Sequence, residues 1–277
     1  MTGSGSIRLV ATDLDGTLLR TDKTVNAWTR SVLDAVQERG VPVVPVTARQ
    51  PRGLTPIADG CGLTGWAICV NGALAQHLTT GEVAFEHLIT TRALARLTQE
   101  AAEQIPGTVF ATVRDRGATF GLQAAYRALT GPDDHQPAIL DAATMPLDEI
   151  TSQPALKLLA RHPEIPALEL AGRITALGIQ GVHATTSGAD FVEMAAGGVT
   201  KATALAELAA ALGVQRDEVV AFGDAPNDRE MLAWAGHSYA MEAATPELLA
   251  VATGRAGSND DDGVARALMD LMRRGQL

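Results

Sequence analysis

The chain has 277 residues, enough for one large α/β domain or two smaller ones around a buried core, and 46% of them are apolar, which excludes a disordered chain. Its formal net charge of -10 excludes a broad nucleic-acid footprint, which needs a basic stripe. No apolar run approaches the roughly 18 residues of a membrane span, so a soluble cytoplasmic protein is expected, in which an anionic ligand requires a locally positive pocket.

Met1 to Ser6 lack the basic and apolar regions of a signal peptide. Ile7 to Thr12 reads as a short buried strand ending at Asp13. After Thr24, the spacing of Ala27, Val32, Leu33 and Val36 predicts a helix stopped by Gly40. Val41 to Val46 is apolar enough for a second strand ending at Thr47, although Pro42 and Pro45 each remove a ladder donor. A helix over Pro51 to Ala58 leads to a third strand, Trp66 to Val70, ending at Asn71-Gly72. Cys61 and Cys69 make neither a disulfide framework nor a metal set, and Cys69 reads as a buried reduced thiol. This alternation predicts a parallel sheet with crossover helices.

Beyond Gly72 the rhythm changes. Ala73 to Leu78 and Glu82 to Leu88 flank Thr79-Thr80-Gly81 as a hairpin. A helix over Thr91 to Gln104, strands near Val109 to Val113 and Thr119 to Leu122, and a loop over Gly131 to Pro137 follow. Ala155 to Ala160 and Gln180 to Ala184 read as strands around a helix, Ile165 to Leu177. This stretch reads as an inserted α+β domain. Alternation resumes at Phe191 to Met194, then helix Lys201 to Leu212, strand Val219 to Phe222, helix Asp228 to Trp234, strand Ser238 to Met241 and a terminal helix, Gly263 to Arg273. The acidic run Asn259 to Asp262 reads as a solvated cap of that helix, since a calcium loop needs a longer ligand pattern. The expected fold is α/β, a Rossmann-like parallel-sheet core (1-82 and 184-277) with an inserted α+β cap domain (83-183).

Asp13-Leu14-Asp15-Gly16-Thr17-Leu18 directly follows a buried strand, and strand ends in open α/β sheets face the ligand crevice. Two carboxylates so close disfavour each other's ionisation, and a divalent cation removes that penalty. Gly16 permits the tight turn that leaves amides facing an anion. A turn with two solvated aspartates is the alternative for an isolated motif. Gly223-Asp224-Ala225-Pro226-Asn227-Asp228 places a second acidic group at another strand end, and oxygen ligands suit magnesium. Helix capping explains Pro226 and Asn227 alone, yet leaves a second acidic strand end unexplained. Thr47, with Arg49 two positions on, can donate a hydroxyl to a phosphate or simply cap a turn. Lys201 sits at a helix start, the unfavourable end of the dipole for a cation, which an anion nearby would explain.

Together these pieces resemble the haloacid dehalogenase-like phosphatases, and among them the Cof-type branch with a class 2 (type IIB) cap. Four motifs occur in order: Asp13-Leu-Asp15-Gly-Thr17, Thr47, Lys201 and Gly223-Asp224-x-x-Asn227-Asp228. Asn71-Gly72-Ala73, Gly198-Val199-Thr200-Lys201 and Asp262-Gly263-Val264-Ala265 extend the likeness over almost the whole chain. The resemblance implies a magnesium cofactor and roles for these residues. Asp13 would be nucleophile and metal ligand, and Asp15 the general acid/base with its carbonyl on the metal. Thr47, Lys201, Asn227 and Leu14 would serve the phosphate, and Asp224 and Asp228 the metal, Asp228 directly or through water. Thr47-Ala48-Arg49 replaces a common Thr-Gly-Arg, and Ala240-Met241-Glu242-Ala243 lacks the usual Asn, which puts one loop contact in question.

Hydrolysis of small phosphorylated metabolites is therefore the leading reading, sugar phosphates first and cofactor phosphates next. The alternatives are a sugar-phosphate phosphotransferase or mutase on the same fold and a non-catalytic phospholigand-binding protein. No nucleic-acid or membrane partner is expected, and the chain is expected to be a monomer or weak homodimer. Arg114, Asp115, Arg116, Asp133 and His135 are polar cap candidates, each of which reads first as a solvated loop residue.

Overall fold

The computed structural model describes residues 6–131, 142–187 and 189–277. Its strands are, in chain order, β1 (Leu9–Thr12), β2 (Val43–Pro45), β3 (Trp66–Cys69), β4 (Leu74–His77) and β5 (Val83–Glu86). Then come β6 (Val109–Arg114), β7 (Thr119–Leu122), β8 (Ala143–Thr144), β9 (Lys157–Arg161), β10 (Val182–Thr185) and β11 (Val192–Ala196), followed by β12 (Val219–Gly223), β13 (His237–Ala240) and β14 (Gly254–Arg255). The chain forms two compact units. The first comprises the residues up to Arg49, Gly53–Phe85 and Thr200–Leu277, and the second Gln50–Arg52 and Glu86–Val199.

The first unit is built on a parallel sheet of order β14-β13-β12-β1-β2. All of β1 and β12 is buried, which is why both read as unbroken apolar runs rather than alternating ones. Pro45 ends β2 after three residues, and the sheet continues only through the Val46–Ile68 bridge to β3, which pairs antiparallel with β4. Leu205 and Leu208 of the helix Lys201–Ala211 pack with Leu9, Val44, Ile68 and Val219. Cys61 and Cys69 are buried and unpaired thiols.

In the acidic run before the last helix, Gly263–Arg273, Asp260 and Asp261 are exposed, and Asp262 is the N-cap but makes no side-chain capping bond. Asp262 has a left-handed backbone (φ 59°), and its carboxylate accepts from Arg20, Asn26 and Thr29. Asp260 accepts the amide and hydroxyl of Thr21 at 2.8 and 2.7 Å. The expectation of a solvated cap misses these bonds because the partners lie at the other end of the chain, invisible to local pattern.

The second unit holds a six-stranded sheet of order β10-β11-β9-β6-β7-β8, antiparallel except for β7–β8. Helices Thr91–Gln104 and Ala167–Ala176 bury Leu94, Leu97, Leu170 and Ile174 against Phe110, Leu158 and Val192 of the sheet. On the other face Leu159 joins Phe120, Tyr126 and Phe191, with the Arg161 guanidinium over the Tyr126 and Phe191 rings at 5.5 and 5.3 Å. The strand Phe191 to Met194, expected to reopen the core, instead lies between β10 and β9. The expected boundary at 183/184 thus moves to Val199/Thr200, and that at 82/83 to Phe85/Glu86. A short buried strand carries no mark of which sheet will take it; here buried Glu193 is ion-paired with Lys157 of β9.

Among the polar cap positions, Arg114 is buried and donates to the carbonyls of Glu149 and Ile150, so it is not a solvated loop residue. Asp115 accepts from Thr119 and Arg116 pairs with Glu86. Asp133, His135 and most of the loop Gly131 to Pro137 lie outside the described residues. Among the described residues no helix is long and apolar enough to cross a membrane.

Candidate active site

Parallel pairing sets Thr12 beside Phe222, and the Asp13 amide donates to the Phe222 carbonyl at 3.0 Å. The two acidic motifs therefore leave the same edge of the sheet from adjacent strands. Asp13 is 6% exposed and Asp228 fully buried. Between them lies the Lys201 ammonium, 1% exposed, donating to Asp13 Oδ1 and to Asp228 Oδ1 at 2.6 Å each. A cation at a helix start is explained by these two partners rather than by the dipole. The other Asp228 oxygen accepts the amides of Asp224 and Ala225, both at 3.0 Å, which closes the turn after β12.

Two glycines make this approach possible. A Cβ on Gly16, whose φ is +83°, would stand 2.4 Å from Asp224 Oδ2, and one on Gly223 would stand 2.5 Å from the Asp228 Cβ. Asp224 accepts a 2.5 Å bond from the Thr17 hydroxyl. Leu14 is buried, and its carbonyl accepts from the Thr17 and Leu19 amides. At the end of β2, Thr47 is buried and its hydroxyl accepts the Arg49 amide at 3.1 Å, which leaves the hydroxyl proton to donate elsewhere. Asn227 donates to Asn71 Oδ1 at 2.9 Å, and Asn71 holds a left-handed backbone.

Asp15 lies outside the acidic group that Asp13, Asp224 and Asp228 form. Arg49 grips it with two 2.6 Å bonds, from Nε and Nη2, and Lys23 approaches to 3.0 Å. The sequence alone gives Thr17, Asn71 and Lys23 no role and marks Arg49 only as a neighbour of Thr47. Thr17 and Asn71 stand inside quoted motifs, whereas Lys23 carries no local signal.

The electrostatics follow from burial and like charge. Burial pushes the Asp13 carboxyl up to about 8, Lys201 opposes this, and Asp228 and Asp224 add to it. Burial likewise takes Asp224 to about 6, against the Thr17 bond and with Asp228 adding to it. Burial also disfavours ionised Asp15, but Arg49 and Lys23 outweigh it and hold that carboxyl below its ordinary value. Lys201 is held above its ordinary value, since Asp13 and Asp228 together outweigh its burial.

Asp13, Asp224 and Asp228 each offer a carboxylate oxygen within 4.8 Å of the others. Three buried or half-buried carboxylates facing a single ammonium leave a surplus of negative charge, and an all-oxygen donor set suits a hard cation such as magnesium. The residues present therefore fit the group.

The family model for haloacid dehalogenase-like hydrolases matches residues 10–268. Pyridoxal phosphate phosphatase YbhA of Escherichia coli K12 is 28% identical over 263 residues, 94% of this chain and 96% of that one. HMP-PP phosphatase of Cronobacter sakazakii is 31% identical over 253 residues, 88% of this chain and 87% of that one. The solved HAD subclass IIB sugar phosphatase BT4131 shares the fold with a TM-score of 0.78 at 19% identity, covering 98% of this chain and 100% of that one. With a match running from the first core strand to the last helix, this chain belongs to the haloacid dehalogenase-like hydrolase family.

Proposed function

We propose that this phosphatase depends on magnesium and hydrolyses phosphate monoesters of small metabolites through an aspartyl-phosphate on Asp13. The observation that carries the reading is the buried Lys201 held at 2.6 Å from both Asp13 and Asp228, with Asp224 in the same acidic group. An ammonium buried this deeply beside a buried carboxylate is costly to maintain as packing alone. Beside a phosphoryl group it positions and neutralises charge, which is most of what phosphoryl transfer asks of a protein.

In this reading an Asp13 oxygen attacks phosphorus while the bond to the leaving oxygen breaks, and Asp15 gives that oxygen a proton. Water then attacks phosphorus, Asp15 takes its proton, and the Asp13 carboxylate is restored. Leu14, Thr47, Lys201 and Asn227 hold the phosphate. Asp13, Asp224, Asp228 and the Asp15 carbonyl would hold the metal, which when bound supplies charge neutralisation and Lewis acidity at a phosphate oxygen. Two relatives named for pyridoxal phosphate and HMP-PP set cofactor phosphates beside sugar phosphates as substrates to screen.

The test is trapping. Beryllium fluoride, a phosphoryl mimic on carboxylates, should form an adduct at Asp13 in wild-type protein with magnesium and none in Asp13→Asn. An adduct on another residue would show that the nucleophile is misassigned.

A further inference from the structure

We infer that Arg49 and Lys23 form a subsite for a second anionic group, so that preferred substrates carry a carboxylate or another phosphate near the ester that is cleaved. The inference rests on the phosphatase reading above, because it takes Asp15 to face the leaving group.

Two charge groups share the strand ends. The inner one has three carboxylates and one ammonium, a balance that suits a divalent cation. The outer one is reversed: a single carboxylate, Asp15, meets two cations, in a protein whose net charge is -10. Asp15 engages two of the five N–H donors of Arg49 and one of the three of Lys23, leaving three and two for another partner among the described residues. A further anion can therefore bind without breaking the Asp15 pairs. The Arg49 and Lys23 side chains are 27% and 49% exposed, open to a ligand in a way that the 1% exposed Lys201 is not. Arginine's planar fork also favours the two oxygens of a carboxylate or phosphate.

An exposed lysine ion pair is ordinarily worth little, because a floppy side chain must be ordered to make it. Lys23 differs in that its backbone is set in the left-handed region (φ 67°) within a loop clasped from both sides. Asp260 holds Thr21, and Asp262 holds Arg20 and Asn26. Lys23 is thus presented by a fixed loop, which lowers the ordering cost of binding an anion. The clasp also gives the acidic run before the last helix its purpose.

The experiment compares 3-phosphoglycerate with glycerol 3-phosphate, which differ only in a carboxylate against a hydroxymethyl group two carbons from the ester, in the full-length enzyme with magnesium. The wild type should prefer the carboxylate-bearing ester. In Lys23→Gln the ratio of kcat/KM for the two should fall by about tenfold, the scale of one lost charge contact. Lys23→Arg should restore the ratio, and Arg49→Gln should lower it at least as far. The ratio is internal to each variant, so a partly unfolded preparation does not alter it. Equal kcat/KM for the two esters in the wild type, or an equal fall on both in Lys23→Gln, would overturn the subsite and leave the phosphatase reading standing. Turnover of neither ester nor of a broad panel of phosphate monoesters would bring down both.

Discussion

Lys201 and Asp13, 188 positions apart, meet at 2.6 Å with both side chains buried, and the same ammonium reaches Asp228 at 2.6 Å. One cation thus ties the first strand end to the turn after β12. It also partly offsets the burial, and the repulsion from Asp228 and Asp224, that drive the Asp13 carboxyl upward. Removing one member of such a pair strands a charge, at a typical cost of about 3 to 5 kcal/mol. Lys201→Met should therefore lower the stability of metal-free protein by that order in urea unfolding. Magnesium should recover more stability in Lys201→Met than in the wild type, since the stranded carboxylates still bind it. Identical unfolding curves with and without magnesium would contradict this account.

Asp224 and Asp228 should fail differently when replaced. Asp228 is fully buried, and its oxygens accept from Lys201 and two amides, so it builds the turn. Asp224 is half-buried and accepts from the Thr17 hydroxyl, a neutral partner that a metal can share. Asp224→Asn should shift the magnesium titration of activity to higher concentration with little change in melting temperature. Asp228→Ala should cut stability by about 3 to 5 kcal/mol, as expected when a buried ion pair is broken. Matching titrations and matching melts for the two would erase the distinction.

The pH dependence of the metal-free protein has a definite sign. Asp13 is pushed up to about 8 and Asp224 to about 6, mainly by burial. In the unfolded chain both titrate near about 4. Across the interval the folded state keeps protons that the unfolded state has lost, so stability falls as pH rises from about 4 and levels off above about 8. The same protons compete with a cation, so apparent magnesium affinity should climb with pH up to about 8. Melting curves at a series of magnesium concentrations between pH 5.5 and 8.5, on a ~0.5-unit grid, would check both. An affinity independent of pH would show that Asp13 is already ionised without metal.

How far the site could be read from sequence depended on where each partner lay. Asp13, Asp15, Asp224 and Asp228 were legible because short polar motifs follow buried apolar strands, and parallel strands bring their ends to one edge. Lys201 was legible as a cation at the wrong end of a helix. Lys23 was not, because it reaches Asp15 through a left-handed turn clasped by Asp260 and Asp262, more than 230 positions away. The second unit's late boundary was hidden for the same reason. Val192 and Met194 mark a buried strand, but its partners, β10 and β9, with Lys157 ion-paired to Glu193, carry no signal in the local pattern.

The two aspartates of the first motif should separate kinetically. In the proposed mechanism Asp13 attacks phosphorus as a carboxylate, which Asn cannot do, so Asp13→Asn should form no acid-stable phosphoenzyme with any substrate. In the same reading Asp15, outside the acidic group of the other three, exchanges the protons. Arg49 and Lys23 favour its ionised form, so it must loosen those pairs to take up the proton that it donates. Asp15→Asn keeps the shape and loses the proton. With an alkyl phosphate both half-reactions then suffer, since the leaving alkoxide needs a proton and the attacking water must lose one. With p-nitrophenyl phosphate the leaving group departs as a stable anion, so formation of the phosphoenzyme should survive while its hydrolysis slows. General acid/base help is typically worth about 10² to 10⁴ in rate. Rapid-quench traces for Asp15→Asn should therefore show a burst of nitrophenolate close to one per enzyme, followed by turnover reduced on that scale. A slow linear trace with no burst would mean that Asp15 serves attack itself, and the division of labour between the two residues would have to be abandoned.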